Sequence, residues 1–216
     1  METIKKNFKW IVCIVCVITS IIIMCAVIKF NILPMDTWAI NLIVNSVRRD
    51  WLTAFFKVFT FFGEAKLLIS VGGIGTIIGF FIIKDKKHSF CYISNLVVIS
   101  GLNWTIKHIV QRPRPDLSLR LVEEDGFSFP SGHAMITTAF YGLIICYAYN
   151  NIKNKLLRNL ICIGLSVLIL MIDFSRVYLG VHYLSDVLTG SLIAIAYLIL
   201  AIELAKKFIF NEESYK

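Results

Sequence analysis

The sequence has little of what divides a chain into parts. No run of proline, glycine or serine marks a linker, no segment repeats another, and no low-complexity tract interrupts its 216 residues. These absences exclude flexible tethers and tandem modules and leave one domain, residues 1–216. A leader cut site is also missing. Lys5, Lys6 and Lys9 precede an apolar run over residues 10–28, but Lys29, Asn31 and Pro34 end it where a small-residue cleavage site would stand. The run is therefore expected to remain as a first membrane span. The six cysteines, Cys13, Cys16, Cys25, Cys91, Cys146 and Cys162, all fall inside apolar segments. Even the CxxC spacing of Cys13 and Cys16 falls on an apolar helix, so these thiols read as small buried residues and no metal or cofactor is expected.

What the sequence has is hydrocarbon. Hydrophobic residues make up 57% of the chain and mean hydropathy is +0.76, where a soluble domain holds about 45–50% apolar residues. Several runs exceed the roughly 18 apolar residues that argue for a span. The net charge of +8 would raise nucleic acid as a partner in a soluble protein. Here the cations sit in short loops between apolar runs, the pattern that sets membrane topology and meets anionic headgroups, so no nucleic-acid partner is expected.

Taken in order, the spacing predicts an all-α membrane bundle of six spans. They cover residues 10–28, 66–83, 89–110, 131–149, 160–174 and 181–205. Residues 35–62 mix Trp38, Trp51, Phe55 and Phe59 with Asp36, Arg48, Arg49, Asp50 and Lys57. That stretch is too polar to span and is expected to lie in the outer interface between spans one and two. Glycines 72, 73, 75 and 79 would let the second span approach a neighbour closely. With both termini in the cytoplasm, inner segments carry twelve of the 22 Lys and Arg residues and outer segments ten. Four of the ten, Lys107, Arg112, Arg114 and Arg176, belong to polar clusters; setting them aside leaves twelve against six.

In that topology three clusters meet on the outer side. They are Lys107 with Arg112-Pro-Arg114-Pro115, Pro130-Ser131-Gly132-His133, and the stretch from Ser175 and Arg176 to His182 and Asp186. His182 and Asp186, four residues apart, would share a helix face, so that Asp186 orients one imidazole nitrogen and leaves the other free to attack. Pro130 would open a helix at its first position, with the N–H groups of Ser131, Gly132 and His133 forming an anion site. Gly132 would admit the ligand to the backbone. Lys107, Arg114 and Arg176 can neutralise the oxygens of a pentacoordinate phosphorus, and His133 can protonate the leaving oxygen.

Together these residues resemble the type 2 phosphatidic acid phosphatase (PAP2) superfamily. Its pattern K-x6-R-P, P-S-G-H, S-R-x5-H-x3-D is matched at all eleven fixed positions, in order, by Lys107–Pro115, Pro130–His133 and Ser175–Asp186. The resemblance implies a metal-independent lipid phosphate phosphatase without cofactor, acting at the outer face of the cytoplasmic membrane. It implies that His182 forms a phosphohistidine, Asp186 orients it and His133 serves the leaving group. It gives phosphate binding to Lys107, Arg114, Ser131, Gly132 and Arg176. The implied partners are lipid phosphates and membrane lipids. Undecaprenyl pyrophosphate and phosphatidylglycerophosphate are favoured over phosphatidic acid and diacylglycerol pyrophosphate, because the small chain suits a bacterial enzyme. A lipid phosphotransferase could use the same phosphohistidine, and a non-catalytic lipid binder or flippase is a third class. The latter would not need both His133 and His182. Vanadium haloperoxidases hold a similar cradle but are soluble.

Several residues are expected to be bland. His108 lies about 100° round the helix from Lys107, and His88 reads as a loop residue. Arg112 is left outside the core set, as a contact to headgroups or substrate. Tyr178 and Tyr183 read as interface aromatics. Asn103 is expected to bond a neighbouring helix, and Asp173 to pair with Arg176 or an inner lysine. Glu123, Glu124 and Asp125 read as a solvated outer turn, with gating of entry as the weaker alternative.

Overall fold

The N-terminal apolar run folds as α1 (Glu2–Phe30) and turns at Asn31 into α2 (Pro34–Leu42), which ends in a wider turn at Ile43–Val47. Next come α3 (Asp50–Phe61), α4 (Ala65–Ile77) and α5 (Lys86–Val110), then a polar loop with one short turn at Leu117–Leu119. The chain closes with α6 (Gly132–Asn151), α7 (Lys155–Tyr178) and α8 (Leu184–Phe208). This computed structural model describes residues 2–210, with side chains from Asn7 onward. The charges of Lys5, Lys6 and Lys216 in the orientation count lie outside those side chains.

Short polar side chains set the starts of these helices. Asp85 accepts from the His88 N–H (3.2 Å), Ser131 from that of Ala134 (3.4 Å) and Asn154 from that of Leu157 (3.1 Å). Each thereby satisfies a first-turn donor that has no helical partner. His88 is thus in the first turn of α5, with Nδ1 2.7 Å from Asp85, and not in a loop. α2 and α8 start differently: Asp36 reaches back to Leu33 N (3.0 Å) and Asp186 to Tyr183 N (2.8 Å).

Among the described residues, five stretches are long and apolar enough to cross a membrane: Asn7–Phe30, Asp50–Ile82, Lys86–Val110, Lys155–Tyr178 and Leu184–Phe208. The second takes in α3 and α4 together on length and composition, and so covers residues 66–82 of the stretch expected to span at 66–83. α3 lies along α7, with Phe56 stacked on Phe174 (5.1 Å) and Tyr178 (4.7 Å). α6, expected as the fourth span, is not among the five. It carries His133, Thr137, Thr138 and three tyrosines, yet residues 134–141 are all buried. A helix enclosed by others needs little lipid-facing apolar surface.

α6 packs on α5, α7 and α8, and α1 closes over α8. Leu68, Ile99, Met135 and Ile172 meet there in the main core. Large side chains such as Ile14, Ile18, Ile74, Leu160 and Leu170 face outward, a surface suited to lipid. Between helices that share a lipid solvent, close fit replaces the hydrophobic effect as the stabiliser. Gly72 supplies such a fit, since a Cβ there would lie 2.4 Å from Leu96, whereas Gly73 and Gly75 face open space.

The connections that carry the polar motifs converge at one end. Gln111 adopts a left-handed conformation (φ 51°) that ends α5. Gly180 does the same between α7 and α8 (φ +72°), with Leu119 O only 2.1 Å from where a Cβ would stand. The 111–131 loop is thereby laid against the α7–α8 turn, with Leu121 N donating to Leu179 O (2.9 Å). Arg48 staples both, donating to Leu119 O (2.6 Å) and Tyr178 O (3.0 Å).

Candidate active site

His182 precedes α8, so it does not share a helical face with Asp186 as the spacing suggested. The turn that starts α8 folds it back instead. Its Nδ1 lies 3.5 Å from Asp186 Oδ2 and 3.4 Å from Ser128 Oγ. Ser128 in turn donates to Asp186 Oδ2 (2.5 Å). On the other side of the ring, Arg114 NH1 donates to Nε2 (3.1 Å). A guanidinium cannot accept, so Nε2 presents its lone pair and Nδ1 carries the proton. Burial first, and then Arg114, Arg176 and Lys107, hold the His182 pKa well below the ordinary imidazole range. The ring is neutral near pH 7.

Three cations surround it. Arg114 is held by Val181 O (3.0 Å) and by the Asp125 and Gly126 carbonyls. Arg176 is 1% exposed; it donates to Thr60 Oγ1 and to Glu124 Oε1, while its Nε has no partner. Lys107 Nζ reaches Phe127 O (2.5 Å) and Ser128 O (3.4 Å), tying the loop to α5. His133, at the start of α6, lies within electrostatic reach of His182, Arg176, Arg114 and Lys107. Its Nε2 is buried and unpartnered. The three motifs therefore come together, and buried nitrogens of His133 and Arg176 have no partner among the described residues.

The P-S-G-H segment departs from expectation in detail. Ser131 caps the helix, so Pro130 stands before the cap and not at the first helical position. The Ser131 N–H donates to Asp186 O (3.0 Å), which withdraws it from any anion. The N–H groups of Gly132 and His133, in the first turn, remain without helical acceptors by position. Asn103 donates to Pro130 O (3.4 Å) and to Met135 Sδ of α6 (3.4 Å), the second a bond to a neighbouring helix as expected. His108 stacks on Trp104 at 4.1 Å, away from the cluster.

Other residues belong to the site that sequence reasoning left out. Arg112 is 2% exposed. It donates to Asp186 Oδ1, Ser185 Oγ (2.8 Å) and Asp36 Oδ2 (2.7 Å) while lying 4.0 Å above the Tyr183 ring. Asp36 also accepts from Ser185 N (2.9 Å), so α2, the loop and α8 are clamped behind the Asp186 carboxylate. Tyr183 is thus a platform for Arg112. Tyr178 is fully buried with its hydroxyl on Arg49 N (3.0 Å), and neither tyrosine is an interface aromatic. Asp173 accepts from Ser191 Oγ (2.6 Å) and, among the described residues, from no cation. Glu124, read as part of a solvated turn, bonds Arg176 and lies 3.6 Å from Arg114. Gly63 backs the His133 ring: a Cβ there would sit 2.8 Å from His133 Cδ2. Motif spacing marks none of these, although Asp36 and Arg112 are charged residues beside apolar runs, a signal in itself.

The pattern of the PAP2 superfamily matches residues 88–210, more than half of the chain. The chain belongs to the PAP2 superfamily. This PAP2 chain is 30% identical to phosphatidylglycerophosphatase B of Bacillus subtilis (strain 168), over 78% of its own length and 83% of the relative's. It is 31% identical to dolichyldiphosphatase 1 of Rhinolophus ferrumequinum over 62% of its length, and it spans 63% of that protein. The crystal structure of a transmembrane PAP2 type phosphatidylglycerolphosphate phosphatase from Bacillus subtilis superposes with a TM-score of 0.78 at 26% identity. That match covers 91% of this chain and 96% of the other. With five stretches able to span, this PAP2 protein is an integral membrane protein.

Proposed function

We propose that the chain hydrolyses a terminal phosphate of a lipid, a phosphomonoester or a diphosphate, through a phosphohistidine on His182. One observation carries the reading: a neutral His182 presents the Nε2 lone pair beside Arg114, with the proton-bearing Nδ1 turned toward Ser128 and Asp186. In the forward step Nε2 attacks phosphorus in line, and Asp186 steadies the cationic ring as charge grows on it. Arg114, Arg176 and Lys107, with the Gly132 and His133 N–H groups, neutralise the equatorial oxygens. His133 gives a proton to the leaving oxygen, then takes one from the water that cleaves the N–P bond. Ser131 contributes by holding the first turn of α6 in place. No divalent metal or cofactor enters the scheme.

The chain is a single domain with six spans, α6 being the one enclosed by the others, and residues 35–62 lie in the outer interface between spans one and two. Both termini face the cytoplasm and the site opens at the outer face of the cytoplasmic membrane, as the charge count favours. Undecaprenyl pyrophosphate and phosphatidylglycerophosphate are the preferred substrates, the second supported by the relatives whose names specify it. The test is a panel of lipid phosphates presented to purified protein with EDTA. Release of free phosphate supports the reading. Label transferred to a lipid or sugar acceptor would make it a phosphotransferase, and silence on every lipid would overturn it.

A further inference from the structure

Glu124 lies between the two guanidiniums of the cup. Its Oε1 accepts from Arg176 NH2, and its Oε2 stands 3.6 Å from Arg114 NH2. Both arginines are almost wholly buried, with side-chain exposures of 1% and 6%, whereas the acid keeps 27% of its surface open. Its neighbours do not share this position. Asp125 offers Arg114 only its backbone carbonyl (2.8 Å), and Glu123 is exposed. A carboxylate presents two oxygens to a guanidinium as one edge of a phosphate does. Two guanidiniums left buried without an anion would carry a heavy desolvation cost. Glu124 therefore occupies the cup in the phosphate's stead.

We infer that Glu124 is an internal competitor for the phosphate position and sets what the site accepts. The inference rests on the reading of the cup as a phosphate site. The diester headgroup of a bulk phospholipid brings one negative charge, the same as the carboxylate it would have to expel. A terminal phosphate brings about −1.5 to −2 near pH 7 and can satisfy both guanidiniums at once. The acid thus screens the site against the phosphodiesters that surround it in great excess and yields to lipids with a terminal phosphate. An acceptor position available only part of the time weakens every ligand by that fraction, so the singly charged diester, the weaker ligand from the start, falls below useful affinity while the terminal phosphate still binds.

The test compares wild type, Glu124→Gln and Glu123→Gln as full chains in detergent micelles. Inorganic phosphate binding is read by calorimetry, and inhibition of phosphate release by phosphatidylglycerol is read in mixed micelles. Glu124→Gln is expected to bind phosphate about tenfold tighter, corresponding to a cup about nine-tenths closed at rest, and to become sensitive to phosphatidylglycerol. Glu123→Gln should match wild type. Glu124→Asp, which keeps the charge on a shorter arm, should fall between and guards against a misfolded glutamine variant. Unchanged or weaker phosphate binding in Glu124→Gln overturns the inference. The binding arm needs no turnover: wild type that releases no phosphate while Glu124→Gln binds it tighter would sink the proposed hydrolysis and leave Glu124's role standing.

Discussion

His182 Nδ1 and Asp186 Oδ2 lie 3.5 Å apart, with the Ser128 hydroxyl 3.4 Å from the first and 2.5 Å from the second. The carboxylate thus acts on the imidazole partly through a serine that comes from a different loop. Asp186→Asn is expected to lower kcat by about 10²–10⁴-fold, the range of a positioned proton-handling group. Ser128→Ala should lower it about tenfold with KM little changed, the cost of one lost neutral hydrogen bond at Nδ1. Steady-state kinetics on the preferred lipid phosphate check both, and equal losses would show that Ser128 is the principal acceptor.

Arg112 pairs with Asp36 and Asp186 together. Arg112→Lys keeps the charge but cannot span both carboxylates. Breaking a buried pair of this kind costs about 3–5 kcal/mol. The expected result is a marked fall in the melting temperature of the purified protein, and Asp36→Asn should fall alongside it. A variant that melts with wild type would remove the clamp from the account.

The depressed His182 pKa fixes the sign of two pH effects. The folded protein disfavours the imidazolium, so below the ordinary value of about 6.5 the unfolded chain binds the extra proton more readily. Stability from this group is present above about pH 6.5 and falls as the pH drops toward the folded pKa. The same shift keeps the nucleophile neutral in mild acid. The limb of kcat/KM that reports His182 in the free enzyme should therefore lie below pH 6.5, and a limb above that value would contradict the neutral ring.

Gly63 has no chemistry of its own, but an added Cβ would meet Ile172 Cγ2 at 2.6 Å and His133 Cδ2 at 2.8 Å. Both neighbours are side chains in a packed interior, where they yield little. Gly63→Ala is expected to displace the His133 ring and lower kcat about 10²-fold, as misplacement by an ångström can, with KM nearly constant. Activity on a phosphate ester with a very acidic leaving group should suffer less, because that oxygen departs without a proton. Equal losses on both esters would count against His133 as the acid.

Much of the site was legible because chemistry forced unusual residues into an apolar chain. Lys107, Arg114, His133, Arg176, His182 and Asp186 stand out against 57% hydrophobic sequence, and their residue types imply an anion and a nucleophile. Their partners were not legible. Asp36 and Asp186 share Arg112 across 150 residues of chain, and no local spacing encodes such a pairing. Glu124 sat among three acids that composition alone assigns to solvent. The helical turn implied by His182 and Asp186 failed because four-residue spacing cannot tell a helix face from the turn that starts a helix. The packing of Phe56 on α7 was hidden for a similar reason, being a contact between residues far apart in sequence.

The most direct test of His182 as nucleophile is rapid acid-free quenching of the protein with a 32P-labelled terminal lipid phosphate, followed by peptide mapping. The account predicts acid-labile label on the peptide bearing His182 in wild type, and none in His182→Ala. Turnover with no labelled protein, or label unchanged in His182→Ala, would contradict it.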